Sequence, residues 1–214
     1  MNNNKQPSKR ERTRLAIIDA AFDIIADKGL FSTSIDELMQ AAGMARGTFY
    51  NYFQGRDEVL QAVVEQLREH LHIHIEQHIP EDLPAEAIVA CMMYGIMQYS
   101  LDKPCFGWVM VRLGTDNDWF SPYELESAQF PRSDAALLSL IKRDMPFAII
   151  HSYIEGAINN LLRRTLCGHI DIASAEQLMG LILRGLGGEE EHIDKAIDSA
   201  REFAAEVHHR QASN

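Results

Sequence analysis

Between residues 43 and 60 the chain runs GMARGTFYNYFQGRDEVL, which places the rings of Phe49, Tyr50, Tyr52 and Phe53 within about two helical turns, flanked by Arg46 and Arg56. Phe49 and Phe53 are four residues apart and share a helical face that can pack inward. The remaining positions offer Gly47, Thr48 and Asn51, with Arg46, Tyr50 and Tyr52 at the edges. Side chains of this kind pack on sugar and methyl groups and end in hydrogen-bonding tips, which suits a helix entering the major groove of DNA. A second candidate is HLHIHIEQH, where His70, His74 and His78 fall at i, i+4 and i+8. Histidines so spaced can chelate zinc or nickel, which makes a metal-binding helical sensor the alternative to DNA recognition. A solvated helix face explains the same stripe more plainly. The chain has no G-x-S-x-G, no H-E-x-x-H, no phosphate-binding glycine loop and no Cys/His arrangement with a catalytic spacing. Neither enzymatic activity nor a cofactor is expected.

These side chains need elements to hold them, and the periodicity is helical throughout. Over 13–28, Leu15, Ile18, Phe22 and Ile25 make an apolar stripe, and Gly29 follows as a natural C′ residue. In TSIDELMQAAG, Ser34 and Glu37 have the S-x-x-E capping-box spacing, which predicts a short helix over 35–42. Gly43 permits the left-handed turn of a two-helix corner, a second short helix spans 46–52, and a long helix beginning at GRDEVL runs until Pro80. Breaks at Pro104, Gly114, Pro122, Pro131, Pro146, Gly168 and Gly187-Gly188 leave candidate helices at 84–102, 105–114, 122–143, 147–167, 174–186 and 189–209. No run alternates β-branched and polar residues as a sheet requires. The expected class is all-α: an N-terminal three-helix unit over 1–55 and a larger helical domain over 56–214.

A chain of 214 residues with 46% hydrophobic content can bury a core without covalent staples. Cys91, Cys105 and Cys167 are odd in number and far apart, against both a disulfide framework and a zinc knuckle. The N-terminus is basic with no apolar stretch behind it, and no segment offers about eighteen consecutive apolar residues. A soluble, cytoplasmic protein with no membrane partner is expected. Its net charge of −11 argues against a polyanionic partner until the distribution is considered. Lys5, Lys9, Arg10, Arg12 and Arg14 stand against Glu11 alone, so the front of the chain is positive and the remainder acidic. Salt confines such fields to about 8–10 Å, so a basic arm can meet phosphates that the body repels.

Residues 13–60 resemble the DNA-binding region of the TetR family of bacterial transcriptional regulators: helix, capped helix, glycine turn and a GTxYxxF segment followed by a basic residue are all met in STSIDELMQAAGMARGTFYNYFQGRDEVL. The resemblance implies that Thr33 and Ser34 face a phosphate at a helix N-terminus. It implies that Arg46, Thr48 and Asn51, with Gly47 between them, approach base edges, that Tyr50 and Tyr52 bond phosphates, and that Arg56 clamps a phosphate in bidentate fashion. Arg12 and Arg14 would reach an adjacent groove from a flexible arm. The chain departs from the family pattern at Ala45, where a serine cap is usual, at Met39, where alanine is usual, and at Tyr52, where histidine is common.

By the same resemblance, the protein is expected to be a ligand-responsive repressor that binds a palindromic operator as a homodimer, because a helix-turn-helix pair matches two half-sites about one DNA turn apart. The subunit interface then falls on the helices over 147–167 and 174–186, with Ile149, Gly156, Ala157, Leu161, Leu178, Leu181, Ile182 and Gly185 as candidate contacts. Composition suggests the effector site: rings and thioethers are dense between Ala90 and Tyr123, and such side chains line adaptable apolar cavities. Met93, Met97, Phe106, Trp108 and Tyr153 are the candidate lining for a hydrophobic or amphipathic small molecule. Carboxylates such as Asp102, Asp116, Asp118 and Glu155 allow for a cationic one.

Overall fold

A serine and a glutamate three residues apart open each of the first two helices. The computed structural model describes residues 8–29, 33–116, 131–141 and 146–212. Helix α1 (Lys9–Lys28) starts at Ser8, whose hydroxyl accepts from the Glu11 N–H at 3.2 Å while its own N–H donates to the Glu11 carboxylate at 2.6 Å. Helix α2 (Ile35–Ala41) repeats the arrangement with Ser34 and Glu37 at 3.2 and 2.9 Å. Each box satisfies backbone groups that a helix end otherwise leaves unpaired. The cap at Ser8 starts α1 earlier than the apolar stripe predicts, so Arg10, Arg12 and Arg14 ride on a helix and not on a flexible arm. Leu15 turns outward, and Ile17, Ile18, Ala21 and Ile25 form the buried face.

Gly43 takes a φ of 65°, the left-handed conformation that glycine adopts without strain, and turns the chain into α3 (Arg46–Phe49). This helix is a single turn, with no side-chain cap from Ala45. The chain continues in turns, with the Tyr52 and Phe53 N–H groups donating to the Phe49 carbonyl at 2.9 and 3.0 Å. Phe49 and Phe53 are buried in the core that also takes Ile18, Leu38 and Met39, their ring centroids 5.8 Å apart.

Helix α4 (Arg56–His74) ends short of Pro80, against expectation. Ile75 leaves helical geometry at φ −127° and ψ −71°, and a 3₁₀ turn, Glu76–His78, follows. The cause lies more than fifty residues away. Glu76 is buried and accepts from the backbone N–H groups of Arg132 and Ser133, each at 3.2 Å, and from the Ser133 hydroxyl. The Arg132 guanidinium in turn donates to the carbonyls of Ile79 and Pro80, both at 2.6 Å. The Glu76 carboxylate thus caps the N-terminus of α7 (Pro131–Leu140), where the helix dipole favours a negative charge.

Helix α5 (Ala85–Asp102) is buried on nearly every side, and α6 (Pro104–Asp116), α7, α8 (Phe147–Leu166), α9 (Ile172–Leu186) and α10 (Glu190–Ala212) pack against it. From α10, Ile193, Ala196, Ala200, Phe203 and Val207 form the stripe turned inward. A Cβ at Gly95 would lie 2.7 Å from Ile75 and 3.0 Å from Phe203, so glycine there lets both approach the central helix. The all-α expectation holds, with no strand among the described residues. Of the helix expected over 122–143, residues 122–130 and 142–143 lie outside the described residues, as do Asp118, Trp119, Phe120 and Tyr123.

Candidate nucleic-acid interface and ligand cavity

With Phe49 and Phe53 turned inward, the residues around them are forced outward. Phe49 has 0% exposure and its neighbour Tyr50 has 56%. Arg46, Gly47 and Asn51 are exposed as well, and Thr48, Tyr52 and Arg56 are half-buried. The Tyr50 ring stands edge-on to Phe49 at 5.3 Å, a favourable aromatic geometry that braces it against the core. Arg46 pairs with Asp36 at 2.7 Å, both side chains largely exposed. An exposed pair contributes only about 0–1 kcal/mol, so a phosphate or a guanine edge can replace Asp36 at little cost.

Other candidate contacts are already engaged. The Thr33 hydroxyl donates to the Gly29 carbonyl at 3.1 Å, and the Ser34 hydroxyl donates to Glu37 at 3.0 Å. The Ser34 backbone N–H, followed by Lys28 at 3.1 Å, holds the Glu37 carboxyl down to about 2, so a negative charge stands at the start of α2. Both hydroxyl donors that were expected to meet a phosphate are therefore committed within the protein. Arg14 is half-buried, its guanidinium 5.1 Å from the centre of the Phe53 ring, a cation–π distance. Arg12 remains exposed on α1.

A cavity of about 210 Å³ lies between α4, α5, α6, α7 and α8. Leu71, Met92, Ile96, Met110 and Leu137 make much of its wall. From α8 come Ile154, Ile158 and Leu162 with two polar residues, Glu155 and Asn159, and Asp134 adds a carboxylate from α7. None of the five expected lining residues is on this wall. Met93 and Met97 are buried on the adjoining face of α5, and Phe106 packs among Phe22, His70 and Tyr99. Trp108 lies under the Arg112 guanidinium, and Tyr153 is exposed. One signal was available: Glu155, Ile158, Asn159 and Leu162 sit at i, i+3, i+4 and i+7, and polar residues within a buried stripe mark a lined cavity.

The profile of bacterial regulatory proteins of the tetR family matches residues 17–63, which hold most of α1, all of α2 and α3, and the start of α4. Over that stretch the chain matches the TetR family. The transcriptional regulator SrpR of Pseudomonas putida is 30% identical over 112 residues, 52% of this chain and 52% of SrpR, so the match spans about half of that relative's length. TtgW, an uncharacterised regulator of the same species, is 29% identical over 112 residues, 52% of this chain and 82% of TtgW. Both are named as helix-turn-helix regulators of transcription, not as enzymes. Among solved structures, RolR in complex with resorcinol superposes with a TM-score of 0.60 and 24% identity over 92% of this chain and 95% of its own. A γ-butyrolactone receptor of the ArpA type does so with a TM-score of 0.61 and 16% identity over 93% and 100%. At such identities these two share the fold.

The outer surfaces of α8 and α9 carry large apolar side chains. Ile149 and Leu181 are each 58% exposed and Tyr153 is 45% exposed, its hydroxyl 2.8 Å from where a Cβ at Gly185 of α9 would be. Gly156 and Gly185 are exposed, Ala157 and Leu178 half-buried. Leu161 and Ile182 depart from expectation: at 2% and 1% exposure their side chains belong to the core of the protomer.

The histidine stripe is interrupted in the fold. The helix break at Ile75 separates His78 from His70 and His74. The His70 ring stacks on Phe106 at 6.2 Å and His74 on Tyr99 at 5.2 Å, and burial lowers the pKa of both. Among the described residues no three metal-ligating side chains converge, so the metal-sensor alternative has no support. Among them, too, no helix is long and apolar enough to cross a membrane.

Proposed function

We propose that the protein is a cytoplasmic, ligand-responsive repressor that binds a palindromic operator as a homodimer. The observation that carries this is the two-sided recognition turn, with Phe49 and Phe53 in the core and Arg46, Gly47, Tyr50 and Asn51 presented outward. Residues 1–55 act as the reading unit and 56–214 as the effector and dimerisation domain. Arg46, Thr48 and Asn51 read base edges, while Tyr50, Tyr52 and Arg56 hold phosphates. The exposed apolar face of Ile149, Tyr153 and Leu181 meets its copy in a second subunit, which supplies the second reading unit that a two-half-site operator requires.

Helix α4 connects the two functions. It has Arg56 at the DNA end and Leu71 on the cavity wall, about 22 Å away at 1.5 Å per residue. Glu76, just past its end, is tied to α7, which contributes Asp134 and Leu137 to the same cavity. A ligand that moves α7 or Leu71 therefore shifts the far end of α4 and the spacing of the two reading units, and both must engage at once. By reciprocity, the ligand weakens DNA binding by the factor by which DNA weakens ligand binding. The names of RolR in complex with resorcinol and of the γ-butyrolactone receptor support a small-molecule effector within this fold.

The test is selection of bound DNA from a random duplex pool by the purified protein, with the double variant Arg46→Ala, Tyr50→Ala as control. Enrichment of a palindrome that the control loses supports the proposal. Absence of enrichment at low salt, where electrostatic binding is strongest, counts against it.

A further inference from the structure

Granting that the recognition turn reads DNA, one of its side chains is held from a neighbouring helix. We propose that Asp36 is a positioning residue for DNA recognition, which keeps hold of Arg46 in the complex and turns the remaining edge of that guanidinium toward a guanine. Arg46 opens α3 and Asp36 lies in the first turn of α2, so the pair bridges the starts of the two helices. The contact runs from Arg46 Nη1 to Asp36 Oδ2 at 2.7 Å. It occupies one nitrogen. A guanidinium carries five N–H donors in a planar fork, so Nε and Nη2 keep a full edge for the O6 and N7 acceptors of guanine.

The other carboxylate of that turn is committed elsewhere. Glu37 accepts from the N–H and the hydroxyl of Ser34 and pairs with Lys28, which leaves Asp36 as the acid in the first turn of α2 that reaches α3. In water the exposed pair is weak, and DNA can displace Asp36 at little cost. Three effects keep the pair together in the complex instead. Docked DNA excludes water, and the lower dielectric strengthens the attraction between the two charges. An Asp36 deserted by Arg46 would stand as an uncompensated negative charge close to the DNA phosphates. A long arginine side chain also loses rotamer freedom on binding, and a guanidinium already held by Asp36 has less of it to lose. The approach is open: a Cβ at Gly47 would meet nothing within 4 Å, so packing does not require glycine there and a base edge can come close beside Arg46.

Selection from a random duplex pool by the full-length protein, repeated with Asp36→Asn, Arg46→Ala and the double variant, tests the assignment. Asparagine keeps the shape of the side chain and removes its charge, and native circular dichroism serves as the folding control. The unaltered protein is expected to enrich a palindrome with guanine fixed at one position of each half-site. Arg46→Ala should lose that guanine, with discrimination falling about ten-fold in competition between the selected palindrome and its form substituted at that position. Asp36→Asn should still select the palindrome but relax the same position by about three-fold or more. The double variant should be no less selective than Arg46→Ala. An unchanged guanine preference in Asp36→Asn, whether or not overall binding tightens, overturns the role of Asp36 and leaves the reading unit in place. So does relaxation at a different position from that of Arg46→Ala, a further loss in the double variant, or a palindrome with no guanine that depends on Arg46. No palindrome from the unaltered protein removes the DNA-reading proposal itself, and the role of Asp36 with it.

Discussion

Phe49 and Tyr50 are adjacent, and one is wholly buried while the other is more than half exposed, so substitutions at the two positions should separate folding from recognition. Phe49→Ala removes a buried ring and is expected to destabilise the protein by about 3–5 kcal/mol in denaturant unfolding. Tyr50→Ala loses one edge-on ring contact with Phe49 and should cost no more than about 0.5–1.5 kcal/mol in stability, yet lower operator affinity at least ten-fold by fluorescence anisotropy. A Tyr50→Ala protein with full affinity would remove that residue from the interface. Glu37 makes a pH-dependent contribution. The Ser34 N–H, then Lys28, depress its carboxyl from 4.5 to about 2 in the folded protein. The stability it contributes is complete above about pH 4.5 and is lost as pH falls from there through about 2. Glu37→Gln should flatten the decline of the thermal midpoint within that window, and a slope identical to that of the unaltered protein would refute the assignment.

At the scale of elements, short-range signals were legible and long-range ones were not. The capping box of α2, the Gly43 turn and the inward faces of Phe49 and Phe53 all depend on contacts within four residues, and each stands as its spacing implied. Ser8 and Glu11 carry the same box, so the true start of α1 was open to the same argument. The end of α4 was not, because it is set by Glu76 capping a helix whose first residue is fifty-five positions further on. Removing that carboxylate leaves the start of α7 without its acceptor. Glu76→Ala is expected to cost about 2–3 kcal/mol in stability and, because Glu76 joins the cavity wall to α4, to shrink the factor by which effector weakens operator binding. Effector response of unaltered size in a folded Glu76→Ala protein would exclude this link.

For the whole molecule, the exposed apolar face of α8 and α9 sets the prediction. Leu181→Arg puts a charge at the centre of the proposed interface without touching the protomer's core, since Leu181 is 58% exposed. Light scattering should show a monomer with native circular dichroism, and operator binding should fall with the loss of the second reading unit. A Leu181→Arg dimer would place the interface elsewhere. The sequence by itself determined the all-α class, the recognition turn and its family resemblance, because helical period, caps and a glycine turn are encoded within a few residues of one another. Only the tertiary structure decided which way each buried helix faces. From Ala87 to Met97 helix α5 is apolar around its circumference, so nothing in that stretch distinguishes Met92 and Ile96, which line the cavity, from Met93 and Met97, which do not. Neighbours Leu181 and Ile182 are likewise equivalent in composition, yet one is exposed and the other buried. Apolar periodicity identifies a face that must be covered, and the identity of the covering element comes from packing between helices far apart in the chain.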